Sequence, residues 1–431
     1  MTTWRNWSGS VVARPSAIAH PRTIKDLQTL VREAPKVRVA GSGHSFMPLC
    51  ATDGLLLGLE HMEGEVEVSP DYDYVWVPAG MPIHRLTEFL WEQGLSLANQ
   101  GDVDRQAIAG ALATGTHGTG RALGSLSTQA RGFDLVLADG SIVRCDPDND
   151  PDLFEAQRVS LGALGVVWRI KLAVLPGYRL RETLQPMRLE EILEAWPDLV
   201  HRHRHVEFFV FPYARRALLK TLDAVNEGDD RPHPSWLETT ILEAVCDLSA
   251  GVPALTPTLQ RLLSLGLSGS VRAAPAHVIF PSERPTRFEE MEGEIPAADG
   301  LEALRAAISE VRLRRFPISF PLEYRVVAAD DIWLSPMCGR ECASISFHQY
   351  ASAPWREAFA AVEAVFRDAG GRPHWAKRHS LASEDVLRLY PMARRWGEVR
   401  RRVDPQGKFL NPHLRDLLAF SVEGAPTPMA A

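Results

Sequence analysis

Three glycine-rich segments lie within the first 170 residues, and they constrain this chain more than any other feature. Gly41-Ser42-Gly43-His44-Ser45 follows the β-prone run Val37 to Ala40. Ala109 to Gly120 places Gly110, Gly115, Gly118 and Gly120 among small and hydroxylated residues. Ser160-Leu161-Gly162-Ala163-Leu164-Gly165-Val166 opens a further β-prone run. Backbone freed of side chains turns tightly, aims several N–H groups at one anion and lets a planar ring approach closely. A single segment of this kind is ordinarily a turn. Three of them without a Walker lysine read as a cradle for a large dinucleotide held by backbone amides, with Ser42, His44, Ser45, Thr114, Thr119 and Ser160 as polar lining. Phe46 stands where a nicotinamide Rossmann fingerprint needs its third glycine, which disfavours that class.

The 431 residues exceed what one hydrophobic core comfortably serves, so two or three structural units are expected. With 54 acidic against 47 basic residues and a formal charge of -7, nothing draws the whole chain to nucleic acid or an anionic membrane. Five scattered cysteines make no disulfide scaffold. Cys338 and Cys342 lack a second pair or a nearby histidine, so no metal is expected. The first residues carry no apolar run behind a basic start, and no stretch of about 20 apolar residues follows. A cytoplasmic location without a membrane partner is therefore the expectation, and the oligomeric state is left open.

Periodicity predicts helices over Thr23–Glu33 and Pro82–Gln93, a hairpin through Asp139-Gly140 and a strand over Val166–Leu175, an α+β unit. Beyond residue 176 the expected elements are a strand at Glu207–Phe211, mainly helix over Trp236–Leu263, helices at Glu302–Leu313 and Trp355–Ala369, and strands at Pro317–Val327 and Cys342–Tyr350. The segments Gly228-Asp-Asp-Arg-Pro and Glu292-Gly-Glu-Ile-Pro read as exposed loops. Such an order suits a sheet covered by helices.

The three glycine-rich segments resemble the FAD-binding domain of the vanillyl-alcohol oxidase superfamily. His374-Trp-Ala-Lys-Arg-His379 and Arg402-Val-Asp-Pro-Gln-Gly-Lys-Phe-Leu-Asn411 are similar to the C-terminal signature of its aldonolactone oxidoreductases, which have alditol oxidase as a close relative. The resemblance implies a two-domain flavoprotein: an FAD-binding domain over 1–176, a sheet-plus-helices substrate or cap domain over 177–395, and a segment 396–431 that returns to the first. It further implies FAD, with His44 as the covalent ligand. His117 either lines the pyrophosphate pocket or completes a tight turn.

On the substrate side, Glu323 and Arg325 are two apart in a strand candidate and therefore share a face. From the residues alone this is a structural salt bridge or a site. The resemblance implies a site, with Arg325 facing the reduced flavin and Glu323 orienting it and binding substrate hydroxyls. Lys377 and His374 enter through the same signature, and His348 and Ser346 through the polar face of Cys342–Tyr350. Gly101 leaves room for oxygen, and Asp102 stands where alditol-oxidising relatives place serine. The expected activity is oxidation of the C2 hydroxyl of L-gulono-, L-galactono- or D-arabinono-1,4-lactone, with oxygen as acceptor and hydrogen peroxide as product. The alternatives are oxidation of an alditol such as xylitol or sorbitol, a lactone dehydrogenase with another acceptor, and a noncatalytic flavin- or sugar-binding protein.

Overall fold

The structure is a computed structural model that describes residues 2–228, 236–282 and 286–422. After an antiparallel ribbon of Trp4–Arg5 and Val12–Ala13, its first unit has three short parallel strands, β1 (Ala17–Ala19), β2 (Val37–Val39) and β3 (Leu55–Leu57), ordered β1-β3-β2. Helix α1 (Ile24–Glu33) starts at Thr23, whose hydroxyl accepts from the Asp26 N–H while the Asp26 carboxylate accepts from the Thr23 N–H. That reciprocal cap satisfies two otherwise orphaned donors, and the helix buries Leu27 and Val31 at heptad-like spacing.

A second, antiparallel sheet follows, built from β4 (Glu67–Val68), β5 (Tyr74–Pro78), β6 (Ala130–Val136), β7 (Ile142–Cys145) and β8 (Val166–Ala173) in the order β7-β6-β8-β5-β4. Helices α2 (Ile83–Glu92) and α3 (Ile108–Ala113) cover it with Leu86, Leu90, Ile108 and Leu112. The β6–β7 hairpin turns through Asp139 and Gly140, as the sequence predicts.

The second unit is one eight-stranded antiparallel sheet. Its strands are β9 (Arg179–Arg188), β10 (His205–Val210), β11 (Arg216–Val225), β12 (Ser270–Pro275), β13 (Phe288–Pro296), β14 (Leu322–Val327), β15 (Cys342–Tyr350) and β16 (Arg372–Pro373), ordered β12-β9-β11-β10-β14-β15-β13-β16. Side chains alternate between faces along a strand. Phe208, Met291, Ile295, Tyr324, Val326, Ile345 and Phe347 therefore point one way, into a core shared with helices α4 (Leu189–Arg202), α5 (Gly300–Arg314) and α6 (Arg356–Asp368). Trp196 of α4 packs edge-on against Phe208 and Tyr324, with ring centroids 5.2 and 5.0 Å away. The residues between them, Glu207, Glu290, Glu292, Glu294, Glu323, Arg325, Ser344, Ser346 and His348, are equally buried and point the other way.

Two expectations fail here. Glu292-Gly-Glu-Ile-Pro is buried strand β13, paired along its whole length with β15, because the period-2 alternation outweighs the loop tendency of Gly293 and Pro296. The strand expected from Pro317 begins only at Leu322, after Pro321. The loop expected at Gly228-Asp-Asp-Arg-Pro lies, from residue 229 on, outside the described residues.

The last part of the chain packs on the first unit. Trp375, Trp396, Phe409, Leu410 and Leu414 share one core with Leu27, Val31, Val37 and Leu57. The Asn411 amide donates to the carbonyls of Pro48 and Ala51 at 2.7 and 2.8 Å. Buried Arg38 gathers four carbonyls, those of Leu49, Leu161, Gly162 and Phe409, at 2.5–2.8 Å. One guanidinium thus joins strand β2, the third glycine-rich segment and the returning C-terminal segment. No helix among the described residues is long and apolar enough to cross a membrane.

Candidate active site

A long cleft of about 450 Å³ opens between the first two sheets, a size typical of small-molecule and cofactor sites. Gly41, Ser42, Gly43, His44, Ser45, Gly110, Thr114, Ser160, Gly162 and Gly165 line it. Gly43 sits at φ +72, a conformation that glycine adopts without cost, and it reverses the chain so that its carbonyl accepts from the Trp7 N–H at 2.8 Å. Among the described residues, none of the backbone N–H groups from Ser42 to Ser45 donates to a protein acceptor. These residues run from exposed Ser42 to half-buried Ser45, and a row of open N–H groups along a cleft can turn to an anion such as a diphosphate. His44 stacks on Trp7 with centroids 5.5 Å apart. Burial, with Lys377 and Arg287 adding to it, lowers the His44 pKa to about 4, so the imidazole is neutral near pH 7. A neutral ring nitrogen facing a dinucleotide-sized cleft can act as a nucleophile.

The second glycine-rich segment serves two places. Gly110 and Thr114 stay in the cleft, but from Thr116 onward the chain runs as a strap toward the large sheet. Thr119 Oγ donates to the Val206 carbonyl at 2.7 Å, and the Gly120 N–H donates to the Val326 carbonyl at 2.7 Å. Gly118 permits this close approach: a Cβ there would lie 2.3 Å from the Gln100 carbonyl oxygen. The structure thus places Gly115, His117, Gly118, Thr119 and Gly120 outside the cleft lining and in the joint between the two units. Val166 is core, with neighbouring Val167 facing the cleft.

Beside the cleft, sharing Gln106 as a wall, is a small polar pocket of about 40 Å³. Gly101, Asp102, His117, Glu323, Arg325, His374 and Lys377 line it, together with Glu290 and Glu292, which sequence reasoning placed in or near a loop. Strand β13 supplies the anions that hold the site's cations. Glu292 accepts from Arg325 Nη2 at 2.8 Å and from Ser344 Oγ at 2.7 Å. Glu290 pairs with Lys377 and, at 3.2 Å, with His348 Nε2. Glu294 lies 3.1 Å from His117 Nε2. Glu323 is the more distant partner of Arg325, 3.5 Å from its Nε. Ser346 and His348 stand behind the pocket, Ser346 accepting from Arg325 Nη2 at 3.1 Å and His348 reaching the pocket only through Glu290. The signal for β13 was present as glutamates at 290, 292 and 294.

Burial opposes charge on Glu290, Glu292 and Arg325, and the opposite charges beside them win. Lys377 and then His348 bring Glu290 down to about 2. Arg325 and His117 hold Glu292 well below the usual carboxylate range. Glu323 and Glu292 hold Arg325 well above its ordinary value. The alternation continues across the sheet, where Glu207 pairs in register with Arg325 and lies 2.8 Å from Lys220, and Glu182 lies 2.7 Å from Arg272.

His374 differs. Its Nδ1 accepts from the Ala376 N–H at 3.1 Å, which fixes the proton on Nε2. Burial, aided by Lys377 and His117 against the pull of Glu292, lowers its pKa to about 3. The ring is a neutral donor and cannot serve as a base. His117, Glu292 and His374 also bring three ligand-type atoms within 4.8 Å of one another, although Arg325 already occupies Glu292.

Known proteins match this chain along its length. Residues 170–417 match the family model for D-arabinono-1,4-lactone oxidase, and residues 15–146 match the FAD binding domain. An L-gulono-1,4-lactone dehydrogenase of Mycobacterium tuberculosis is 38% identical over 96% of this chain and 99% of its own. An L-gulonolactone oxidase of Mus musculus is 28% identical over 95% of this chain and 97% of its own. The crystal structure of cholesterol oxidase from B. sterolicum superposes with a TM-score of 0.82 at 18% identity, covering 96% of each chain, and so shares the fold. The open amides of the first glycine-rich segment line the cleft, and the chain belongs to the D-arabinono-1,4-lactone oxidase family of FAD-dependent oxidoreductases.

Proposed function

We propose that this protein oxidises the C2 hydroxyl of an aldono-1,4-lactone, with L-gulono-, L-galactono- and D-arabinono-1,4-lactone as candidate substrates. The observation that carries this reading is the pocket beside the cleft, where Arg325, Lys377 and the His374 donor converge on one small polar space. FAD, when bound, supplies the hydride acceptor for the C2 hydrogen. Arg325 and Lys377 face the negative charge that arrives with the hydride, which preorganised cations stabilise strongly in a dry site. His374 Nε2–H donates to a substrate oxygen. Glu323, still an acceptor while it pairs with Arg325, accepts a hydrogen bond from the C2 hydroxyl, whose proton leaves to solvent as the C2 hydrogen leaves as hydride, so that the alcohol becomes the ketone. The 2-keto lactone then enolises to an ascorbate-like ene-diol. We place the FAD-binding unit at residues 1–176, the substrate unit at 177–395 and the returning segment at 396–431. The shared core supports the return, and it also takes in Ile332, Trp333 and Leu334 and residues from Trp375 on.

His44 is the proposed covalent attachment point, supported by its neutral imidazole in the cleft. Flavin fluorescence should stay with the polypeptide after denaturation and separation in the wild type, and leave it in His44→Ala. Wild-type protein that releases all its flavin on denaturation would remove the tether.

Oxygen is the proposed acceptor, with hydrogen peroxide as product. The dehydrogenase name of the Mycobacterium tuberculosis relative favours a second reading, the same lactone oxidation with another acceptor. Gly101 discriminates. Its φ is not in the left-handed region, but an added Cβ would lie 3.0 Å from the His117 carbonyl oxygen and 3.5 Å from Thr116 Cγ2. Gly101→Ala should slow reoxidation by oxygen while lactone reduction and dye reoxidation stay near wild type. Equal losses in all three would mean that the strap has moved and that Gly101 provides no oxygen path. Wild-type reduced protein that persists in air but reoxidises with dye would establish the second reading.

A further inference from the structure

We infer that His117 works as a fixed imidazolium: a positioning residue whose permanent charge lies against Glu292 and Glu294 and so holds Glu292 on Arg325. The argument starts from hydrogen bonds. His117 Nδ1 lies 2.9 Å from the Gly118 carbonyl oxygen, which can only accept, so Nδ1 carries a proton. Nε2 lies 3.1 Å from Glu294 Oε1 and 3.6 Å from Glu292 Oε1. A bare nitrogen lone pair facing those carboxylates would repel them, so a proton lies between Nε2 and Glu294 as well. Both ring protons are thereby committed to fixed protein acceptors, and the ring neither gives a proton to substrate nor takes one.

The charged neighbours are consistent with this. Glu294 and Glu292 face the ring from β13, Arg325 from β14 and neutral His374 from the 374–377 loop, 5.7 Å away between centroids. Burial disfavours the charged ring, but Glu294 and then Glu292 outweigh burial and the opposing Arg325, so the His117 pKa is raised. Glu292 and Glu294 share one further donor, Ser344 Oγ, at 2.7 and 3.2 Å. Two carboxylates this close, without a cation between them, do not both stay ionised. Removing the His117 charge therefore creates a titrating pair, whose mutual repulsion while both are ionised disturbs the Glu292–Arg325 contact and is relieved when the pair takes up one proton.

This inference rests on the proposed lactone oxidation only for its kinetic arm. In His117→Gln, which keeps a donor but not the charge, lactone-driven flavin reduction should fall on the order of tenfold at about pH 8. It should recover as the pH drops toward about 6 and one carboxylate of the pair takes a proton. His117→Lys should restore a flat profile. A His117→Gln variant with wild-type rate and a flat profile would overturn the proposal, as would His117→Lys behaving like His117→Gln.

The second arm needs no substrate. In holoenzyme labelled with ¹⁵N-histidine, the His117 ring should show both nitrogens protonated from about pH 6 to about pH 8. The signal is assigned in the near-isosteric variant Glu294→Gln, where that ring alone should turn neutral. A wild-type His117 in a single neutral tautomer at neutral pH would refute the charge whatever the substrate proves to be. A persistent imidazolium with no lactone reduction in the wild type would leave the charge standing and fault only the functional reading.

Discussion

Replacing Arg325 with methionine should cut lactone-driven flavin reduction by about two to three orders of magnitude, the loss of about 2.7–4 kcal/mol expected when a preorganised donor to developing charge is removed. The side chain is buried, donates to Glu292 at 2.8 Å and lines the pocket beside the cleft. Methionine keeps much of its length and none of its charge. The same change strands Glu292 and Glu323, and breaking a buried pair from one side costs about 3–5 kcal/mol of stability. Stopped-flow reduction is therefore read on protein shown to be folded and flavin-loaded. Reduction at the wild-type rate in such protein would remove Arg325 from the chemistry. A slow variant that keeps its flavin would separate the catalytic loss from the structural one.

The largest stability effect is expected at Arg38→Met. Each buried carbonyl left without a donor costs about 1–3 kcal/mol, and Arg38 serves four of them from three parts of the chain. Burial itself depresses the Arg38 pKa, with Cys50 opposing, so this charge is kept at a cost that the four acceptors offset. The variant should melt on the order of 10 °C lower than wild type. It should also retain flavin less well, because the Leu161 and Gly162 carbonyls belong to the cleft wall. Arg121→Met is the control: its bond to Glu341 is at the surface and worth less than about 1 kcal/mol. Equal melting temperatures for Arg38→Met and Arg121→Met would show that Arg38 does not hold the returning segment.

What the sequence made legible follows from where local rules suffice. Glycine spacing marked the first and third segments, whose residues line the cleft, because an N–H cradle is written in consecutive residues. The i, i+2 spacing of Glu323 and Arg325 put both on one face of a strand, and the strand exists. Strand β13 was missed although it supplies Glu290, Glu292 and Glu294. Its alternation of glutamate with Met291, Gly293 and Ile295 looks like a solvated edge unless both faces of the sheet are known to be buried. Tertiary structure alone provides that knowledge, since one face packs on α5 and α6 and the other faces the FAD-binding unit. His117 was assigned to the cofactor side or to a turn for the same reason. Its segment leaves the cleft after Thr114, and nothing in Gly115-Thr-His-Gly-Thr-Gly120 marks that departure.

The central claim is that this pocket oxidises a lactone, and anaerobic mixing of the holoenzyme with substrate tests it most directly. L-Gulono-1,4-lactone or D-arabinono-1,4-lactone should bleach the visible flavin band in one reductive half-reaction, while xylitol at the same concentration leaves it largely oxidised. Bleaching by xylitol with none by any of the lactones would contradict the account.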